Sequence, residues 1–479
     1  MMAAVKAPKC EQPAISNAWH RPRRRMRFAQ PARAGLLDAL LRMQSQQPLT
    51  VPCPEEDPQG AALLTWAQQH GLPPQKLGPA LLPGCGRGLV ATEPIAAGEP
   101  LLRVPAALVL TAEAAVQQSL LAQALLAGSS LPAWTVLALW LVEARAAGAS
   151  HPWAPYLATL PESAGSVVSW PAEHVDWLRG SHLRAIAAEV RAAAERSAAE
   201  LLAALGAARG TAGAPGLPQQ AHQLCTREQL GWAFDVLLSR LVRLDGLGGA
   251  EALVPWADCL NHDCRATAHL DWDAGAAGVV LRAERGYRRG EEVRISYGRK
   301  TSGQLLLSYG FAPANNPHDA CLLELALPGG GAAMAAAEAH GYAGGRAVFP
   351  LRMEAVPEEM IQFAALAAAE ASGAGQAERL AADVMSGGPL PAATRAAGLE
   401  LIVRRCQVAL TGYASSMEAD TAELAELEAG NGGSGIGCDN KSRQRRRVVL
   451  RLLLAERRVL HRTIFLLQQQ LRAVRRGRG

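Results

Sequence analysis

Two stretches, LVPWADCLNHD (253–263) and GEEVRISYGRKTSGQLLLSYGFAPANNPHDACLLEL (290–325), decide how this chain is read. In the first, Asn261 and His262 close a mostly apolar run. Buried polar groups need partners. The pair therefore either stabilises a turn or hydrogen-bonds a ligand. In the second, Tyr297-Gly298 and Tyr309-Gly310 stand twelve residues apart in a chain with only six tyrosines. Taken alone, they are two core tyrosines at strand ends. A third stretch, GCGRGLVA (84–91), is glycine-rich without matching a dinucleotide fingerprint. It reads as a tight turn between strands, or as a place where a ligand meets bare backbone.

Working outward, short apolar runs split by glycine turns predict small strands on both sides of a long helical stretch. Leu270–Trp272 and Val279–Arg282 flank the glycine-containing Ala274–Gly278 as in a hairpin, and Val293–Tyr297 is a further strand. Between the β-rich halves, helices are expected over Trp134–Ala147, Glu173–Leu205 and Thr226–Leu244. The last opens with Thr226 and Gln229 at capping-box spacing. Ala61–His70 reads as a short helix ended by Gly71-Leu72-Pro73-Pro74. After Pro328-Gly329-Gly330-Gly331 the pattern is helical to the end, with a final helix over about Arg447–Val474. Gly206–Gln219 and Gly430–Lys441 read as loops. The expected segments are a basic N-terminal tail (1–59), a β-rich half (60–111), a helical insert (112–250), a second β-rich half (251–315) and a helical C-terminal domain (316–475).

The chain has 479 residues, 49% of them hydrophobic and 19% charged. Those values suit a folded chain of two or three domains and exclude wholesale disorder. The longest apolar run, Leu131–Val142, is too short for a membrane span, which takes about 20 residues. The net charge of +5 is concentrated at the two ends, so bulk charge does not point to nucleic acid. Residues 1–37 hold eight Lys or Arg against one acid, Glu11, as in an organelle transit peptide or a basic tail. Nine cysteines are scattered with no C-x-x-C pair, which favours free thiols over a disulfide framework or zinc site. P-loop, G-x-S-x-G and H-E-x-x-H signatures are absent.

In this order, these features resemble the SET-domain protein methyltransferases, and in particular the Rubisco large-subunit lysine N-methyltransferase-like branch. The resemblance runs through GCGRGLVATEPIAAGEPLLRVP (84–105), HPWAPYLATLPE (151–162), FDVLLSRLVR (234–243) and the two opening stretches. LTGYASSMEAD (410–420) and RLLLAERRVL (451–460) resemble that branch's helical substrate-binding domain. The resemblance implies an α+β fold: a β-rich SET domain split by a helical insert, followed by an all-α C-terminal domain. It implies an S-adenosylmethionine-dependent protein-lysine N-methyltransferase. Protein-histidine methylation and a non-catalytic SET-like binding module are the alternatives.

By the same resemblance, Cys85, Gly86, Arg87, Arg240, Asn261, His262 and Tyr309 match cofactor-side positions. Ser239, Asp258 and Tyr297 match the substrate-lysine side, and Tyr309 and Tyr297 match catalytic positions. No metal site is implied, because no cysteine cluster follows Tyr309. The branch often has Asn where this chain has Ser302, and the basic residue after the Ser239-Arg240 pair falls at Arg243, with Leu244 next. The implied partner is a protein bearing the target lysine, the Rubisco large subunit or another, and not nucleic acid or a membrane. The chain is expected to be monomeric and chloroplastic, with the cytoplasm as the alternative location.

Overall fold

A computed structural model of the chain describes residues 56–83, 85–126, 130–208, 224–328, 332–372, 380–381, 388–429 and 440–477. The basic tail, apart from its last few residues, and most of the two loops lie outside this set. Residue contacts divide the chain into two units that do not follow chain order. One comprises residues 1–162 and 192–297, the other residues 163–191 and 298–479.

Among the described residues the first unit holds ten strands: β1 (Leu77–Leu82), β2 (Gly86–Ala91), β3 (Pro100–Pro105), β4 (Leu110–Thr111), β5 (Val242–Leu244), β6 (Ala250–Leu253), β7 (Asn261–His262), β8 (Asp271–Asp273), β9 (Gly278–Arg282) and β10 (Glu292–Ile295). They form three small sheets, β1-β2-β10-β7, β3-β9-β8 and β4-β6-β5. Each sheet joins strands from before and after the helical insert, so the two β-rich halves make one domain. The expected hairpin is present, with Asp271 opposite Val280 and Trp272 opposite Val279. In the first sheet β10 runs antiparallel to β2 and parallel to β7, with Arg294 opposite Asn261 and Ile295 opposite His262. That register places the Asn-His pair at a sheet edge.

Helices of the insert follow their sequence signals. Arg227–Arg240 begins with a complete capping box: the Thr226 hydroxyl accepts from the Gln229 amide, and the Gln229 side chain accepts from the Thr226 amide. The apolar run at Leu131–Val142 is an interior helix. Ala133–Ala147 buries every residue from Thr135 to Val142, and no described helix is long and apolar enough to cross a membrane. The helix expected over Glu173–Leu205 is interrupted, and two helices, Ala172–Asp176 and Leu183–Ala208, take its place. The break lies at Gly180, whose φ is +93° and whose added Cβ would stand 2.5 Å from the Tyr413 Cα. No L side chain fits there without displacing that backbone.

The second unit packs helices Glu358–Ser372, Ala392–Thr411 and Asn440–Arg475 around one apolar core that includes Phe363, Leu399, Ile402 and Leu460, and the helix Met417–Glu428 joins Asn440–Arg475 through ion pairs. It is helical as the sequence implied, with one addition. Arg346–Leu351 pairs antiparallel with Cys321–Ala326, Cys321 opposite Leu351. The long terminal helix starts at Asn440, so Asn440 and Lys441 are helical rather than loop. Its 36 residues contain neither Gly nor Pro, which lets it run unbroken.

Candidate functional site

The site in the first unit is built around residues 256–262. Trp256, fully buried, has φ +73° and ψ −54°, a γ-turn conformation that L residues adopt only under strain. The turn is held from three sides. Gln75 accepts the Trp256 indole N–H at 3.2 Å. The Tyr156 hydroxyl donates to Asp258 Oδ2 at 2.7 Å, and Arg240 Nη1 donates to the Asp258 carbonyl at 2.9 Å with Asp258 Oδ1 3.5 Å away. The Tyr297 hydroxyl donates to the Leu260 carbonyl at 2.6 Å.

Asp258 is 2% exposed at its side chain. Burial raises its pKa, and Arg240 and the Tyr156 hydroxyl pull against that rise without cancelling it. Both carboxylate oxygens are therefore occupied within the protein. Tyr156 is fully buried beside this carboxylate, and burial with the Asp258 charge lifts its pKa far above the ordinary phenol value. It stays a hydrogen-bond donor.

Asn261 and His262 follow the turn. Asn261 Nδ2 donates to the Arg87 carbonyl at 3.2 Å and to Glu292 Oε1 at 2.9 Å. What Asn261 can offer a ligand is thus its Oδ1 acceptor. This close approach requires Gly88, since a Cβ there would lie 2.9 Å from Asn261 Nδ2 and would clash with Leu82. His262 Nδ1 accepts the Tyr297 amide at 3.1 Å, and the two rings stack with centroids 5.0 Å apart.

Cys85 and Gly86, at the mouth of β2, are exposed, and the Cys85 amide donates to the Leu82 carbonyl at 3.1 Å. The Arg87 side chain turns away to a structural role. It pairs with Asp57, 2% exposed, and donates to the Thr159 carbonyl at 2.9 Å and to Gln59 at 3.0 Å. Ser239 donates to the Val236 carbonyl of its own helix at 2.9 Å.

The structure thus gathers Arg87, Arg240, Asp258, Asn261, His262 and Tyr297 around one turn. Tyr309 belongs to the second unit, as the last residue of the helix Ser302–Tyr309, whose capping box is Thr301 and Gln304. Burial pushes its pKa up to about 12, so it is a neutral phenol across the physiological range. Lys300 Nζ stands 5.9 Å from the Tyr309 ring centroid, and burial lowers its pKa. Ser302 is buried, its amide donating to Asp319 Oδ1 at 2.7 Å. The sequence reading did not single out Tyr156 or Gln75 as supports, although Tyr156 lies within the quoted stretch at 151–162.

The SET domain family matches residues 86–298, and the Rubisco LSMT substrate-binding family matches residues 334–460. The chain is 26% identical over 373 residues to a tobacco (Nicotiana tabacum) protein named ribulose-1,5 bisphosphate carboxylase/oxygenase large subunit N-methyltransferase, chloroplastic. That match covers 73% of this chain and 71% of the relative. It is 28% identical over 278 residues to human (Homo sapiens) SET domain-containing protein 4, covering 54% of this chain and spanning about three fifths (59%) of that relative's length. A solved structure titled as the SET domain of LSMT bound to lysine and AdoHcy superimposes with a TM-score of 0.69 at 22% identity. It covers 87% of this chain and 92% of that one, and it establishes the fold. The chain belongs to the SET-domain family, in the branch that carries a Rubisco LSMT-type substrate-binding region.

Proposed function

We propose that this chain is an S-adenosylmethionine-dependent protein-lysine N-methyltransferase acting on a protein substrate. The observation that carries the reading is the strained turn at Trp256–Leu260, clamped by Tyr156, Arg240 and Tyr297 so that Asn261 and His262 are fixed at a sheet edge. A strained, over-determined backbone is the mark of a functional site. The donor set suits the cofactor: an exposed turn at Cys85-Gly86-Arg87, an acceptor at Asn261 Oδ1, and the flat His262–Tyr297 stack. With Arg240 they would hold an adenosyl group and an amino-acid moiety. When bound, S-adenosylmethionine supplies a methyl group on a positively charged sulfur.

The chain's own residues then have three tasks. Desolvation in a narrow channel favours the neutral form of a lysine that is charged in water. Tyr297 donates its hydroxyl hydrogen to the Leu260 carbonyl, so its oxygen keeps lone pairs with which to orient the amine. Tyr309, kept neutral by burial, does the same as the main catalytic tyrosine. Asp258 and Ser239 line the lysine side, Asp258 chiefly by holding the turn in place.

Holding reactants in line is the main lever in such a displacement, and a misplacement of about 1 Å costs on the order of 10²-fold. A Tyr309→Phe protein is therefore expected to bind cofactor by calorimetry and to lose turnover by about that factor. Full turnover would remove Tyr309 from the catalytic role.

The substrate is a protein, the Rubisco large subunit or another, which the helical region 316–475 docks. The protein works as a monomer in the chloroplast. The tobacco relative's chloroplastic name and the basic tail support that location. A fluorescent fusion of the tail that stays in the cytosol would move the activity there.

A further inference from the structure

The helix Asn440–Arg475 presents one face along its whole length, covered in one half and bare in the other. Arg447 and Arg451 lie on this face in the first half. There the acidic helix Met417–Glu428 covers them. Arg451 Nη2 reaches Glu428 Oε1 at 2.8 Å, and Arg447 Nη2 donates to the Leu427 carbonyl at 3.1 Å. Glu423 and Asp420 of the same acidic helix take up Arg446 and Arg457.

At helical spacing the same face continues through Arg458, Arg462, Phe465, Gln469 and Arg472 to Arg476 just past the helix end. All six are exposed, Phe465 at 49%. The Arg462 guanidinium sits over the Phe465 ring, 5.6 Å from its centroid. Among the described residues none of these four arginines has an ion pair. No Asp or Glu stands between Glu456 and Arg476, so the stretch that carries the stripe brings no side-chain carboxylate of its own. From Arg458 to Arg476 the stripe is about 27 Å long, at about 1.5 Å per residue. It begins where the matched substrate-binding segment ends, at residue 460.

We propose that the stripe Arg458–Arg476 is a docking surface for an acidic, helical segment of the protein substrate. The chain itself shows the chemistry that covers this face. In the first half the cover is a helix carrying carboxylates, and in the second the same guanidinium pattern stands open. Guanidinium groups one helical turn apart match carboxylates at i and i+4 on a partner helix, and Phe465 supplies the apolar contact that excludes water between them. Only the identity of the partner rests on the methyltransferase reading.

The test uses the full chain and two fluorescent peptides that share one lysine-containing segment. In one peptide the segment is joined to a helix with Glu at i and i+4, in the other to the same helix with Gln. The Glu peptide should bind about tenfold tighter by anisotropy, as two or three exposed pairs together would give. Its advantage should shrink with ionic strength. It should also vanish in the triple variant Arg458→Gln, Arg462→Gln, Arg472→Gln, which changes only exposed residues and whose fold is checked by thermal denaturation. In turnover, the Glu peptide should lower KM at unchanged kcat. Equal binding of the two peptides, or an advantage that survives the triple variant, overturns the proposal. So does a short single-stranded oligonucleotide that displaces the Glu peptide and is itself bound tighter. Stripe-dependent binding with no methylation of either peptide keeps the docking surface and removes the methyltransferase reading instead.

Discussion

Each unit buries a carboxylate, and the two are compensated differently. Asp258 in the first unit faces the Arg240 guanidinium and the Tyr156 hydroxyl. Glu456 in the second unit is 4% exposed at its side chain and receives two hydroxyls, Ser181 at 2.8 Å and Tyr413 at 3.1 Å. Its nearest ring, His182, is 3.5 Å away, and burial holds that imidazole down to about 4 and therefore neutral. The adjacent Arg457 is directed to Asp420 and to the Ser415 carbonyl. Burial raises the pKa of Glu456 to about 7, more than the hydroxyls and Arg457 offset. A carboxylate with a guanidinium partner fixes a backbone. One that meets only hydroxyls and a neutral ring holds a proton near neutrality. The first arrangement builds the site, and the second makes the packing of the helical unit pH-sensitive.

The contrast can be broken at its strongest point by Asp258→Ala. That change leaves a buried guanidinium without its partner and should cost about 3–5 kcal/mol in urea denaturation. A loss within 1 kcal/mol of wild type would mean that the pair is not structural.

Glu456→Gln sharpens the other side. A buried acid raised from its ordinary value near 4.5 to about 7 contributes stability at low pH that is lost as pH climbs through that window. His182, lowered from about 6.5 to about 4, acts in the opposite sense, adding stability as pH rises through its own window. Wild type should therefore stay nearly level between pH 4.5 and 6.5, where the two groups oppose each other, and lose under about 1 kcal/mol above pH 6.5, where only Glu456 still titrates, whereas the variant should lose none. Instead its stability should rise between pH 4 and 6.5, exposing His182. Parallel Tm profiles for the two proteins would refute the assignment.

Tyr156→Phe removes one hydrogen bond to a charged acceptor, worth about 1.5–3 kcal/mol. It should also weaken cofactor binding by calorimetry, because the turn carrying Asn261 and His262 loosens. Unchanged affinity would confine Tyr156 to the core. At the small end, Glu428→Gln breaks a partly exposed pair with Arg451 and should change stability by less than about 1 kcal/mol. A larger loss would show that the acidic helix Met417–Glu428 depends on that contact.

Local signals carried the sequence reading a long way. The capping box at Thr226 and Gln229, the hairpin around Ala274–Gly278 and the β-rich halves flanking a helical insert all depend on neighbours in the chain. The motif residues Asn261, His262 and Tyr297 meet as their order in the sequence suggested. Three features could not be read. Tyr156 and Asp258 are 102 residues apart, and Ser181 and Glu456 are 275 apart, so no local pattern records either pairing. The positive-φ Trp256 has no sequence mark, because the usual signal, a Gly, is absent and only the clamp around this strained L residue selects the conformation. The strand Arg346–Leu351 was missed because it carries Pro350, which argues against a strand by its missing donor.

The most direct test of the central claim is incubation of the full chain with methyl-labelled S-adenosylmethionine and a soluble extract, followed by mass spectrometry of the labelled proteins. The account predicts label on a lysine side chain, lost with Tyr309→Phe. Label on a histidine, or no label and no cofactor binding, would contradict it.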